Sequence, residues 1–168
     1  MINKICQVID GEYVCDIDIS VEEWKALLMN EKVFDSKSIE ALKKWYVEPN
    51  HSCTCFDIGK KYEQHSMSAN GVINGLGGRV QKELGRFEVK GIGNIAPGTK
   101  FITVMKSKET GEKPKRYLWT IRDELVQAIK ELDFFGSEEI TTNEYYSDDE
   151  LINAMEANNT FDVAQTFE

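Results

Sequence analysis

Two periods run along this sequence. Polar and apolar residues alternate over Lys4-Ile5-Cys6-Gln7-Val8-Ile9 and Glu12-Tyr13-Val14-Cys15-Asp16-Ile17, on either side of Asp10-Gly11. That dipeptide supplies the positive φ angles of a two-residue turn, so residues 4–17 are expected to form a β-hairpin. From Ser20 the period lengthens. Ser20 and Glu23 make a capping box, and Trp24, Leu27 and Leu28 share one helical face. A second helix is expected from Asp35 or Ser36, packed through Ile39, Leu42 and Trp45 or Tyr46 and closed by Pro49.

Residues 50–55 read as irregular. A short helix over 54–64 follows, with Phe56, Ile58 and Tyr62 as expected buried positions. After the connector 64–67, Ser68 is the expected cap of a longer helix running to Leu84. Val72, Leu76, Val80 and Leu84 recur along it every four residues, with Ile73 beside them. A short helix, a tight connector and a longer polar-faced helix suggest a helix-turn-helix.

After Gly85 the period returns to two. Strands are expected at 86–90, at Lys100–Met105 and at Tyr117-Leu118-Trp119, the last two joined by a basic tip over 106–116. Thr120 with Asp123 caps a final helix over 121–132, packed through Ile121, Leu125, Ile129 and Leu132. The pattern therefore predicts an α+β chain: a winged helix over residues 20–132, an N-terminal β-hairpin over 1–19, and an acidic tail or linker over 133–168. One more helix is expected near 147–157, capped by Ser147 with Glu150.

Charge sharpens this picture. The 168 residues carry 20 basic and 29 acidic side chains, net −9. Residues 60–116 nevertheless hold 12 basic and 5 acidic residues, whereas 133–168 hold 10 acidic residues and no basic one. Such asymmetry suggests a polyanion-binding body with an acidic appendage. No apolar run is long enough to span a membrane, and seven acids in the first 34 residues are unlike a secretory signal. Four cysteines are too few for a disulfide scaffold, so a cytoplasmic setting is expected.

The helix over 68–85 carries the most chemistry. Asn70, Asn74, Arg79, Gln81, Lys82 and Arg86 lie largely off its apolar stripe. Asn and Gln pair two-pronged with adenine, Arg pairs with guanine, and neighbouring cations hold phosphates. Gly71, Gly75, Gly77 and Gly78 interrupt the same helix at a cost of about 1 kcal/mol each. Close approach to another backbone or to DNA would offset this; a break near Gly77-Gly78 would remove it. Lys106, Lys108, Lys113, Lys115 and Arg116 make the natural wing, gripping phosphates without reading sequence.

Other motifs lack their context. Gly91-Ile-Gly93-Asn-Ile-Ala96 should follow a strand and open a helix, but Pro97 follows it. Gly93, Gly98, Thr99 and Lys100 resemble a phosphate loop with its lysine one position late. His51, Cys53, Cys55 and His65 do not have the usual spacing of a zinc site. Glu88-Val-Lys90 fits only half of a nuclease motif. Neither a metal, a cofactor nor catalysis is therefore expected.

Glu23-Trp24-x-x-Leu27-Leu28, Ala69-Asn70-Gly71-Val72-Ile73 and Leu118-Trp119-x-x-Arg122-x-Glu124-Leu125 mark a resemblance. Residues 20–132 resemble the helical, wing-bearing domain N-terminal to the ATPase of McrB-type modification-dependent restriction systems, and that of related bacterial restriction endonucleases. The resemblance implies binding to double-stranded DNA, with motor and nuclease chemistry supplied by another subunit or by further C-terminal domains. The competing expectation is an adaptor on the same scaffold, whose acidic tail masks the basic face or mimics DNA toward a protein partner.

Overall fold

In a computed structural model, which describes residues 1–136, Met1–Leu132 form one compact unit. The second unit begins at Asp133, and residues 137–168, which hold most of the acidic tail and the helix expected near 147–157, lie outside the described residues. Among the described residues the architecture is mixed α+β, with five α-helices and a six-stranded sheet. The strands are β1 (Ile2–Ile9), β2 (Glu12–Val14), β3 (Ser52–Thr54), β4 (Phe87–Gly91), β5 (Met105–Glu109) and β6 (Tyr117–Ile121). The helices are α1 (Val21–Leu28), α2 (Ser36–Tyr46), α3 (Cys55–Lys61), α4 (Ser66–Leu84) and α5 (Asp123–Leu132).

The sheet order is β3-β6-β5-β2-β1-β4. All neighbours are antiparallel except β1 and β4, which run parallel with Ile2 opposite Phe87 and Cys6 opposite Gly91. Asp10 and Gly11 take φ of 52° and 78° and turn β1 into β2 as expected. This hairpin is not a separate domain: it sits in mid-sheet, with β5 on one side and β4 on the other.

Side chains alternate across the strands. Tyr13, Phe87, Val89, Met105, Ser107, Trp119 and Ile121 turn toward the helices, and all but half-buried Tyr13 are buried. Ile5, Val14, Lys106 and Leu118 lie on the other face, each more than a third exposed. The helical layer closes over Trp24, Phe34, Leu42, Trp45, Ile58, Ile73, Leu76 and Leu125, all fully buried.

Local signals set most helix ends. The Ser20–Glu23 capping box is formed, with hydrogen bonds of 3.0 and 3.1 Å. Asp35 caps α2 through Ser38 N–H, and Thr54 caps α3 through Asp57 N–H. Gly85, at φ 67°, ends α4 in the left-handed conformation that costs glycine no Cβ clash.

Four expectations are corrected. His65, not Ser68, caps α4, its Nδ1 accepting from Met67 N–H at 3.1 Å, so the helix starts at Ser66. Phe101–Thr103 form a 3-10 turn rather than a strand, and β5 starts only at Met105. The run Phe101–Val104 is apolar at three of four positions and wholly buried, which fits a buried helical turn as well as a buried strand. Residues 52–54 form β3 against β6 rather than an irregular stretch. Phe56 and Tyr62 are exposed rather than core, where cations cover them: the Arg116 guanidinium 3.9 Å from the Phe56 ring centre, and Lys44 4.9 Å from that of Tyr62.

Candidate functional site

α4 runs unbroken through its four glycines, and close packing explains one of them, Gly77. A Cβ on Gly77 would collide with the carbonyl of Lys100, so this glycine lets α4 lie against the 3-10 turn. Gly71 and Gly78 face open space, and Gly75 meets only the Arg79 side chain at 3.5 Å. Together with exposed Met67 and Lys82, Gly71, Gly75 and Gly78 lie along one side of α4.

The polar side chains of α4, with Arg86 just beyond its end, divide into two groups. Asn74 Oδ1 accepts from Lys100 N–H at 2.6 Å and Phe101 N–H at 3.1 Å, and its amide donates to the Gly98 carbonyl at 3.3 Å. Arg79 Nε donates to the Val33 carbonyl at 2.9 Å and Nη2 to Ser38 Oγ at 2.5 Å, with Asp35 3.6 Å away. Gln81 Oε1 accepts from Val89 N–H on the outer side of edge strand β4. Arg86 pairs with Glu23 through bonds of 2.6 and 3.0 Å and reaches the Asp18 carbonyl at 2.8 Å. These four residues, read from the sequence as groups facing bases and phosphates, hold neighbouring segments of their own chain. Lys82 is exposed, and Asn70 is half-buried at the wall of a groove.

That groove is built from aromatic rings far apart in sequence. Tyr117 meets Tyr13 edge-on at 5.0 Å, and Tyr13 lies 5.2 Å from Phe101. Phe101 stacks on Trp119 at 4.1 Å, and Trp119 on Trp45 at 5.9 Å. β2 and β6 bring Tyr13, Tyr117 and Trp119 to one side of the sheet, and the 3-10 turn clamped by Asn74 adds Phe101.

Two concavities of about 340 and 290 Å³ share Asn70, Tyr117 and Trp119 as lining residues. A third, of about 560 Å³, shares Tyr13 and Tyr117 and reaches Asn94 and Lys115. Arg116 lines the second concavity against Phe56. Burial, with Tyr117 beside it, raises the Tyr13 phenol above its ordinary value, so it stays neutral and able to donate.

The cations expected at one wing tip are thereby split. Lys115 and Arg116 border the aromatic groove, with Lys115 also 3.3 Å from Glu109. Lys113 is exposed in the connection 110–116. Lys106 and Lys108 belong to strand β5 and, by alternation, point to the opposite face from Tyr13 and Trp119; Lys106 lies 3.9 Å from Asp123. Sequence reading missed Tyr13, Phe56, Phe101 and Tyr117 as groove residues. Only the alternation that puts Tyr117 and Trp119 on one strand face pointed toward them.

The histidines and nearby thiols are accounted for locally. His51 stacks on Tyr46 with its Nδ1 2.7 Å from the Tyr46 carbonyl, while His65 caps α4. Burial pushes Cys53 up to about 11 and Cys55 up to about 12, which keeps both thiols protonated. Among the described residues no group of three or more His, Cys, Asp or Glu side chains is placed to hold a metal. Nor is any helix there long and apolar enough to cross a membrane. Glu88 lies 3.7 Å from both Lys90 and Lys100. Aromatic walls, an amide side chain and two cations suit a planar, unsaturated ring carried on an anionic chain. No family model, no curated protein and no solved structure matches this chain.

Proposed function

We propose that this chain is a winged-helix-type module for double-stranded DNA, without catalysis of its own, serving as the DNA-recognition part of a restriction or defence system. The observation that carries the reading is that Asn70 of α4 and Arg116 of the β5–β6 hairpin line one aromatic concavity, with Lys115 on the adjoining one. In this reading α3 and α4 form the helix pair and the β5–β6 hairpin is the wing. The N-terminal turn of α4, rather than Asn74, Arg79 or Gln81, meets the bases. The bare glycine side of α4 lets a phosphate backbone approach closely, with Lys82 at its far end.

The test is a titration of labelled duplex with the full chain at low and raised salt. Affinity is expected to fall steeply with salt, because each phosphate contact releases a counterion. No shift of duplex at low salt with micromolar protein overturns the reading.

The exposed apolar positions Ile5, Val14 and Leu118 on the open sheet face favour a second reading, a protein-interaction adaptor. Truncation after residue 136 separates the two. Tighter DNA binding by the shortened chain indicates a DNA binder restrained by its acidic tail, whereas no binding by either form favours the adaptor.

A further inference from the structure

The N-terminal hairpin places two cysteines face to face. In the β1–β2 ladder Gln7 lies opposite Val14, Val8 opposite Tyr13 and Ile9 opposite Glu12. One step beyond, the same register sets Cys6 opposite Cys15. Ile9 and Glu12 adjoin the two-residue turn and so form a hydrogen-bonded pair. Pairs alternate along an antiparallel ladder, and Cys6–Cys15 therefore falls at a non-hydrogen-bonded position. The Cys6 carbonyl agrees, accepting from Ile92 N–H at 3.1 Å on the β4 side. Non-hydrogen-bonded partners have Cα atoms roughly 4.5 Å apart with side chains closest, inside the span of roughly 4.4–6.8 Å that a disulfide bridges.

We propose that Cys6 and Cys15 are a reversible thiol–disulfide site, oxidised by exchange with small-molecule disulfides. The inference stands apart from the DNA reading. Both thiols are free, Cys6 fully buried and Cys15 half-buried, so Cys15 is the sulfur a reagent meets first. Its surroundings are those of a reactive thiol. Cys15 Sγ lies 3.8 Å from the Lys4 carbonyl, to which its thiol donates, and its thiolate form is favoured by a hydrogen bond from the Cys6 thiol and by the guanidinium of Arg122 and the ammonium of Lys4. These hold Cys15 below the ordinary thiol value, while the same hydrogen bond and burial raise Cys6. Burial, and to a smaller extent Asp16, act the other way on Cys15. Arg122 is fixed by its own bond to the Ile102 carbonyl at 2.8 Å.

The chemistry balances with the reagent disulfide as oxidant. The Cys15 thiolate attacks one reagent sulfur; the reagent S–S bond breaks and one thiolate leaves with the electron pair. Cys6 then loses its proton to solvent and attacks the Cys15 sulfur, forming the Cys6–Cys15 bond and expelling the second reagent thiolate. Two protein thiols are oxidised and one reagent disulfide is reduced to two thiols.

The test uses the full chain carrying Cys53→Ser and Cys55→Ser, incubated undenatured with oxidised glutathione. The expected product has lost both remaining thiols, is lighter by two hydrogens, carries no glutathione and is restored by dithiothreitol. Adding Cys6→Ser is expected to trap a stable glutathione adduct on Cys15. Two thiols still free after incubation, or an adduct that persists on Cys15 while Cys6 is present, overturns the proposal. If the serine variant fails to fold, peptide mapping of the oxidised wild type decides. A Cys6–Cys15 cross-link supports the site, and oxidation at Cys53 or Cys55 alone overturns it.

Discussion

Residues of one type along α4 meet different surroundings. Asn74, Arg79 and Gln81 are used up on Lys100, Phe101, Val33, Ser38 and Val89, and Gly77 admits the Lys100 carbonyl. Asn70 instead borders an open groove, and Gly71 and Gly78 face empty space. An asparagine or glycine therefore takes its role from the surface its helix face meets, not from its type. The sharpest contrast is between Gly77 and Gly71. Gly77→Ala drives a methyl group into backbone that cannot yield cheaply, and should cost about 2–3 kcal/mol. Gly71→Ala adds a helix-favouring residue in the open and should gain about 0.5–1 kcal/mol. Urea denaturation of both variants checks this, and equal effects of one sign would refute the division of α4 into a packed and an open side.

Asn74→Ala comes next in size. It strips two backbone N–H groups of their acceptor in a half-buried setting, a loss of about 1–3 kcal/mol. Phe101 stacks on Trp119 at the groove, so the variant should also change tryptophan fluorescence before unfolding begins. Asn70→Ala should leave stability within about 0.5 kcal/mol. Comparable losses in the two variants would mean that Asn70 is a structural residue as well.

What could be read in the sequence follows from how local each device is. The Asp10-Gly11 turn, the Ser20–Glu23 box and the start of α2 at Asp35–Ser36 are each set within a few residues, and all are formed as expected. The parallel pairing of β1 with β4 joins segments more than eighty positions apart in the numbering, and no short pattern announces it. A histidine capped α4 because its ring nitrogen does what a serine oxygen does elsewhere, which composition statistics hide. The groove was only partly legible for the same reason. Asn70, Lys115 and Arg116 stand out by type, but Tyr13, Phe101 and Tyr117 become neighbours only after the sheet forms.

Acid should expose the ion pairs that tie α4's end to α1. Hydrogen bonds from Arg86, then the Ser20 backbone N–H, hold the Glu23 carboxyl below its ordinary value of 4.5. A carboxyl held low contributes stability that is complete above pH 4.5 and is lost as pH falls through its folded value. Both partners are more than a third exposed, so the contribution is under about 1 kcal/mol. Arg86→Met should therefore be less stable than wild type at neutral pH, with the gap narrowing below pH 4.5. A gap that stays constant into acid would assign the loss to packing of the Arg86 stem instead.

A small effect on stability is expected where the proposed function is greatest. Lys115 is well exposed, and Arg116 touches the outward ring of Phe56 rather than the core. The double variant Lys115→Ala, Arg116→Ala should change unfolding free energy by no more than about 1 kcal/mol, with the cation–π contact the main loss. In duplex titrations the same variant should bind more weakly at low salt. Its log–log salt slope should be shallower by about 0.9 for each phosphate contact removed. Lys106→Ala with Lys108→Ala provides the matched comparison, removing equal charge from the opposite sheet face. A contact face centred on the groove makes the first pair costly to binding and the second nearly silent. Equal weakening by both pairs would reduce the interaction to diffuse attraction by net charge, and a larger effect from Lys106 and Lys108 would move the DNA face to the far side of the sheet.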